Sequence, residues 1–185
     1  MGKTNQINPG STINLDGKIY RVESSVKVTV VKGTPFIKTK LRDLITDKLI
    51  EKNFKADQEV EEVSLRENAL EFLYPEGREF LFLNIENLQQ VLVSTAILGD
   101  KVNYLKEGTQ VKATFYGEAV FSIDLPEFLE LMVVKTDAPE DQVNVSNNTK
   151  QAVLETGAKV EVPLFIEVGD VIKVDTHKNE FIQRI

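Results

Sequence analysis

The sequence predicts an all-β protein built from small barrels, and three observations carry that prediction. Apolar and polar residues alternate with period 2 along most of the 185 residues, the pattern of half-buried strands. Short apolar runs are separated by turn signals at the spacing of small barrels. Long helical patterns are nearly absent, and residues 95–107 are the best helix candidate. Composition narrows the class further. Charged residues make up 28% of the chain, as expected of a globular protein, and cysteine is absent. That absence excludes disulfides, thiol nucleophiles and thiolate metal sites. No apolar run approaches the roughly 20 residues a membrane-spanning helix needs. The N-terminus lacks the apolar core of a signal peptide, and Gln6 breaks the myristoylation pattern. The expected setting is the cytoplasm, with no membrane partner.

The first unit is expected over residues 1–62. Val26, Val28 and Val30 alternate with Ser25, Lys27 and Thr29, which predicts a half-buried strand. Residues 36–41 read as its returning partner. Between them, Val31-Lys32-Gly33-Thr34-Pro35 offers a glycine for unusual φ and a proline to stiffen the exit. Lys32 is therefore expected at the tip of a projecting hairpin. Asn53-Phe54-Lys55-Ala56 belongs inside the same barrel.

A second unit is expected over 63–126. Residues 69–74 and 79–83 flank Pro75-Glu76-Gly77, a hairpin turn. The helix candidate, 95–107, has Ser94 or Thr95 as its cap, Leu98, Val102 and Leu105 on one face, and Gly108 as its stop. Strands 111–115 and 119–123 then pair around Tyr116-Gly117-Glu118. Leu125-Pro126 marks a boundary, and the third unit runs over 127–185. It opens with the strand 128–134, followed by an exposed polar loop at 136–148. Val160, Val162, Leu164 and Ile166 supply one apolar face, Gly169-Asp170 a turn, and 171–176 and 181–185 further strands. Units of about 60 residues have marginal cores, so stiff docking between neighbours is expected.

Charge is distributed unevenly. The chain holds 22 basic and 29 acidic residues, yet residues 24–42 contain Lys27, Lys32, Lys38, Lys40 and Arg42 and no acid. A local excess of five cations in an acidic chain points to a small, aimed contact with an anion rather than general adhesion to nucleic acid. Alternation places Lys38 and Lys40 on a common face. Elsewhere the chemistry is quiet. His177, the only histidine, falls in a turn and is expected to be solvated. Glu61-Glu62 and Glu140-Asp141 read as solubilising pairs, and the sequons at Asn144 and Asn147 as polar loop. No nucleophile–base pair, phosphate loop or zinc pattern is present, so no catalytic residue, metal or cofactor is expected.

Several longer runs agree with a known family. The C-terminal segment reads Lys150-Gln-Ala152-Val-Leu-Glu-Thr156-Gly157-Ala-Lys-Val-Glu-Val162-Pro163-Leu-Phe165-Ile-Glu-Val-Gly169-Asp170-Val-Ile-Lys-Val174-Asp175-Thr176. Earlier blocks are Asp16-Gly17-Lys-Ile-Tyr20-Arg-Val22, Phe36-Ile-Lys-Thr-Lys40-Leu41, Glu51-Lys-Asn-Phe54-Lys55, Glu127-Phe128-Leu129-Glu130-Leu131 and Thr136-Asp137. Together they resemble bacterial elongation factor P across essentially the whole chain.

The resemblance implies an SH3-like (KOW-type) first domain followed by two OB-type domains, arranged as an L resembling tRNA. It implies a monomeric factor, not an enzyme, that contacts both ribosomal subunits between the P and E sites. There it would meet the CCA end of the P-site peptidyl-tRNA and stimulate peptide-bond formation at proline runs. By alignment, Lys32 falls at the family's modified lysine, with Val31, Gly33, Thr34 and Pro35 as the tip around it. A lysine-modifying enzyme is then a further expected partner. Lys27, Lys38, Lys40, Arg42 and Lys55 become expected RNA phosphate contacts. Two departures are visible. Thr29-Val30-Val31-Lys32-Gly33-Thr34-Pro35 stands where the family commonly has Lys-Pro-Gly-Lys-Gly-x-Ala, and Asp141-Gln-Val-Asn-Val-Ser-Asn-Asn148 replaces a Gly-Asp-Thr loop. They suggest a divergent second copy, for which a different stalling context or a regulatory role is the alternative function.

Overall fold

A computed structural model describes residues 2–3, 7–137 and 148–185. Most of the expected polar loop at 136–148 lies outside these residues. So do Glu140-Asp141, both sequon asparagines and all of the replaced segment except Asn148.

Strands dominate, as the alternation predicts. The first sheet contains β1 (Gly2–Lys3), β2 (Thr12–Leu15), β3 (Lys18–Val28), β4 (Phe36–Asp43), β5 (Leu49–Lys55) and β6 (Glu59–Glu62), in the order β1-β6-β2-β3-β4-β5. It curls around Ile13, Val22, Leu41, Phe54 and Val60, all buried. β3 and β2 are joined through Asp16-Gly17, both at positive φ, which suits a two-residue hairpin turn. At the β4–β5 turn the Asp43 carboxylate accepts the N–H groups of Ile45 and Thr46 at 2.9 and 3.0 Å.

The second sheet holds β7 (Leu65–Glu76), β8 (Glu79–Asn84), β9 (Gln90–Ser94), β10 (Gln110–Tyr116) and β11 (Ala119–Asp124), in the order β11-β10-β7-β8-β9. Its first hairpin is tighter than expected. Pro75 and Glu76 pair with Phe80 and Glu79, so the turn is only Gly77-Arg78. Gly77, at φ 65°, supplies the left-handed residue that makes so short a turn feasible.

The predicted helix over 95–107 is also corrected. An α-helix, α1, covers only Thr95–Leu98, and a 3₁₀ segment follows over Gly99–Tyr104. Gly99 sits at φ 53°, ψ −136°, which no right-handed helix contains, so the helix stops there. Ser94 occupies the cap position without a side-chain capping bond, and Thr95 Oγ1 instead donates to the Arg78 carbonyl at 2.8 Å.

The third sheet holds β12 (Phe128–Thr136), β13 (Thr149–Leu154), β14 (Lys159–Pro163), β15 (Val171–Asp175) and β16 (Glu180–Arg184), in the order β14-β13-β12-β15-β16. Val160, Val162 and Ile166 are buried as predicted, but Leu164 is 42% exposed. The alternation ends with β14 at Pro163, and the next turn returns Ile166, whose N–H reaches the Pro163 carbonyl at 3.1 Å. Leu164 is left on the outside.

By packing, the chain forms two compact units. One is Met1–Arg66 with Tyr116–Glu118, and the other is Glu67–Phe115 with Ala119–Ile185. The second unit contains nearly all of the second sheet and the whole third sheet around one continuous buried cluster. Leu70, Phe82, Leu98 and Ile123 belong to it, and so do Leu131, Leu154, Val160 and Ile172. Polar contacts tie the same seam. Tyr104 Oη donates to Asn179 Oδ1, and Asn179 Nδ2 donates to the Lys159 carbonyl at 3.0 Å. Lys106 Nζ reaches Glu155 Oε1 at 3.1 Å, and the Met132 N–H donates to the same oxygen at 3.0 Å.

The Met132 N–H, and after it Lys106, hold the Glu155 carboxyl below its ordinary pKa against the opposing effect of partial burial. The folded chain therefore takes up this proton at lower pH than the unfolded chain. The resulting stability is complete above the ordinary Glu value of about 4.3 and is lost as pH falls through the lower folded value. Glu155→Gln should cost about 1 kcal/mol at neutral pH, the net scale of one intramolecular hydrogen bond. The difference from wild type should shrink on acidification. Urea unfolding at neutral pH and near pH 3 measures this, and a constant difference would exclude the assignment.

Candidate nucleic-acid interface

The basic segment forms the hairpin β3–β4, paired from Tyr20↔Asp43 to Val28↔Phe36. Residues 29–35 close it, and Lys32 is exposed within the turn. Its neighbour Val31 is fully exposed (100%). Gly33, expected to supply an unusual φ, is not at positive φ. A Cβ at that position would meet Val30 Cβ at 3.6 Å, an ordinary contact, so the loop's path does not require glycine there.

The valine strand is corrected more deeply. Val26 is 58% exposed and Val30 45% exposed, so of the expected half-buried face only Val28 is half-buried. The cause is a bulge. Val22 pairs with Leu41 but Ser24 pairs with Lys40, leaving Glu23 as an extra residue in β3. An extra residue reverses which side chains face the core. Before the bulge Tyr20 and Val22 point inward, buried. After it Ser25 and Lys27 pair with the buried Thr39 and Ile37, while Val26 shares the outer face with Lys38.

This geometry sorts the predicted cations. Lys38, Lys40 and Arg42 do share one face, together with Lys55, which pairs with Phe36. Lys27 lies on the opposite face beside Ile37, lining a small recess with Ile7, Pro9 and Ser25. The outer cations also differ in freedom. Arg42 Nε donates to Glu23 Oε1 at 2.8 Å, and its Nη1 donates to Asp47 Oδ1 and to the Asp47 carbonyl at 3.3 and 3.1 Å. Both acids raise the pKa of Arg42 further, chiefly through its hydrogen bond to Glu23. Lys38 lies 3.8 Å from Glu51, with both side chains more than half exposed, a pairing of little energetic weight. For Lys32 and Lys40 there is no ion pair among the described residues. The arrangement can present ammonium groups along one face and at one tip to a phosphate-rich surface. Arg42 fixes the turn below them.

Two features carried no readable signal in the sequence. Nothing about Glu23 announces a bulge, and its partner Arg42 is recognisable only once the strands are paired. No group of His, Cys, Asp or Glu suited to hold a metal occurs among the described residues.

The division of labour is testable. Arg42→Ala should destabilise the folded chain more than Lys40→Ala or Gly33→Ala, through loss of its contacts with Glu23 and Asp47. Lys40→Ala and Gly33→Ala should stay within about ±0.5 kcal/mol. Chemical denaturation of the three variants measures the ranking. Equal effects for Arg42 and Lys40 would remove the structural role given to Arg42.

Comparison with known proteins agrees along the whole chain. The elongation factor P KOW-like domain matches residues 3–60, its OB domain matches 65–123, and its C-terminal domain matches 129–184. The protein named elongation factor P 1 of Protochlamydia amoebophila is 59% identical over the full length of both chains. Elongation factor P 1 of Chlamydia caviae is 43% identical over 98% of each chain. Elongation factor P of Carboxydothermus hydrogenoformans is 37% identical over all of both. Among solved structures, a translation initiation factor eif-5a family protein from Naegleria fowleri shares the fold at a TM-score of 0.54 and 11% identity. That match covers 67% of this chain and 96% of the other. Domain matches from one end to the other and full-length identity of 59% lead to a single conclusion: this chain belongs to the elongation factor P family of bacterial translation elongation factors.

Proposed function

We propose that this translation factor binds the ribosome between the P and E sites, contacts both subunits, and delivers Lys32 to the CCA end of the P-site peptidyl-tRNA. Bound there, it stimulates peptide-bond formation on ribosomes stalled at consecutive prolines. The observation that carries this reading is the hairpin, whose tip holds the fully exposed Val31 and beside it a lysine with no ion pair among the described residues. Holding the peptidyl-tRNA in a reactive orientation lowers the entropic part of the barrier and asks for no acid or base from the factor. Domains at 1–62, 63–126 and 127–185, acting as a monomer in the cytoplasm, complete the proposal. The three family matches at 3–60, 65–123 and 129–184 support the division.

The tip also supports a second reading. Val31, Thr34 and Pro35 stand around Lys32, and Val31 is bare to solvent. A tip of this composition fits a paralogue tuned to other stalling contexts or to regulation, with Lys32 either bare or extended by a modifying enzyme. Ribosome profiling of cells lacking the protein separates the two, because only the first reading predicts pauses concentrated at proline runs.

Lys32→Ala should abolish or sharply reduce synthesis through a proline run while leaving stability within about ±0.5 kcal/mol. Lys32→Arg keeps the charge but accepts no lysine-specific extension. Full activity of Lys32→Arg would mean that charge suffices, and failure would mean that the ammonium or its extension is needed. Rescue by Lys32→Ala equal to wild type would end the assignment.

Ribosome affinity should fall with salt, since lysines displace counterions from RNA phosphates. The slope should be shallow, reflecting a few contacts. Affinity independent of ionic strength in equilibrium binding would contradict the basic-hairpin contact.

A further inference from the structure

We infer that the cleft at the seam of the second and third sheets is a binding site for a nucleoside monophosphate group, either free or as one residue of single-stranded RNA. This goes beyond the tip contact proposed above and involves neither the hairpin nor its lysines.

The cleft has a volume of about 550 Å³, inside the roughly 300–1,000 Å³ of small-molecule sites. Four buried residues form its floor: Tyr104, Leu125, Ala158 and Thr176. The rim is polar, with Lys101, Lys159, Asp100, Asn103 and His177. The walls are set without a ligand, because Asn179 is held by Tyr104 on one side and by the Lys159 carbonyl on the other. A site already in place loses little ordering entropy on binding.

Each part of the lining selects against a simpler ligand. A bare anion would leave the apolar floor unused. A purely apolar ligand would desolvate two ammonium groups without return. Lys159 forms no ion pair among the described residues, whereas Lys101 already donates to the Ile123 carbonyl. The ammonium of Lys159 is therefore the free cation for a phosphate. Asp100 and Asn103 suit the hydroxyls of a ribose and the polar edge of a base. The face of a base fits against Leu125 and Ala158, with the His177 ring at the rim available for stacking. Nor does the cation-bearing rim follow from composition, since the chain as a whole is at −7.

The test is an NMR titration of the isotopically labelled full chain. The probes are adenosine 5′-monophosphate, uridine 5′-monophosphate, a short single-stranded oligoribonucleotide and inorganic phosphate. Saturable shifts are expected at the amides of Asn103, Ala158, Thr176 and His177 with nucleotide or oligonucleotide, and much weaker ones with inorganic phosphate. Lys159→Ala, at an exposed position, should weaken binding at least about fivefold with an unchanged amide spectrum elsewhere. Tighter binding of the oligonucleotide assigns the site to RNA, and binding of mononucleotides alone assigns it to a free nucleotide. Any of three results overturns the proposal: no saturable shift up to about 10 mM nucleotide, the millimolar limit of useful affinity; equal binding of inorganic phosphate; or undiminished binding by Lys159→Ala.

Discussion

The C-terminal unit depends on a shared apolar core. A barrel of about 60 residues buries too little surface to be robust alone. Here the second and third sheets resolve that constraint together, with Leu98 and Ile123 from one and Leu131 and Leu154 from the other in a single buried cluster. Polar ties then fix the register of the contact. Tyr104 is the seam's donor, and burial, aided by the charge of Asp175, raises the pKa of its hydroxyl further above the ordinary tyrosine value. Asp175 in turn accepts the N–H groups of His177 and Lys178, both at 2.9 Å, and shapes the turn that carries Asn179. The apolar cluster thus makes one core of two marginal ones, and these hydrogen bonds hold its edge.

The N-terminal unit applies a different device to a different end. Its core is small and closed by Ile13, Leu41 and Phe54, and β3 and β4 run past it. One extra residue, Glu23, separates the part of β3 that packs from the part that projects. The bulge also recruits Arg42, whose guanidinium ties Glu23 to Asp47 at the base of the hairpin. The cations differ in their partners: Arg42 is consumed by local acids, whereas Lys32 and Lys40 form no ion pair among the described residues. An exposed valine face on the same ribbon would be a liability on an inert surface. On the ribbon proposed to enter a ribosomal site it would be contact area.

Under the positioning role proposed above, shape and rigidity would carry the mechanism. Positioning contributes to rate only if the positioning body does not yield. The fused core of the C-terminal unit and the tied base of the hairpin both serve that requirement, each by removing a local degree of freedom.

The sequence by itself determined the all-β class, the strand alternation in all three sheets, the hairpin that carries Lys32 and the common face of Lys38 and Lys40. These depend on local periodicity and turn chemistry, which are written in neighbouring residues. Family resemblance along the chain was legible for the same reason. What only the tertiary structure decided is which face of that hairpin is wet, because one unpaired residue at Glu23 reverses the alternation and no local preference marks it. The same holds for the helix expected at 95–107. Its apolar spacing was correct, yet Leu98, Tyr104 and Leu105 reach the core through a broken path that Gly99 permits. The seam, with Tyr104 meeting Asn179 across 75 positions, is likewise a product of packing. Contacts between residues so far apart leave no periodic trace, and they arise only when two cores too small to stand separately are buried against each other.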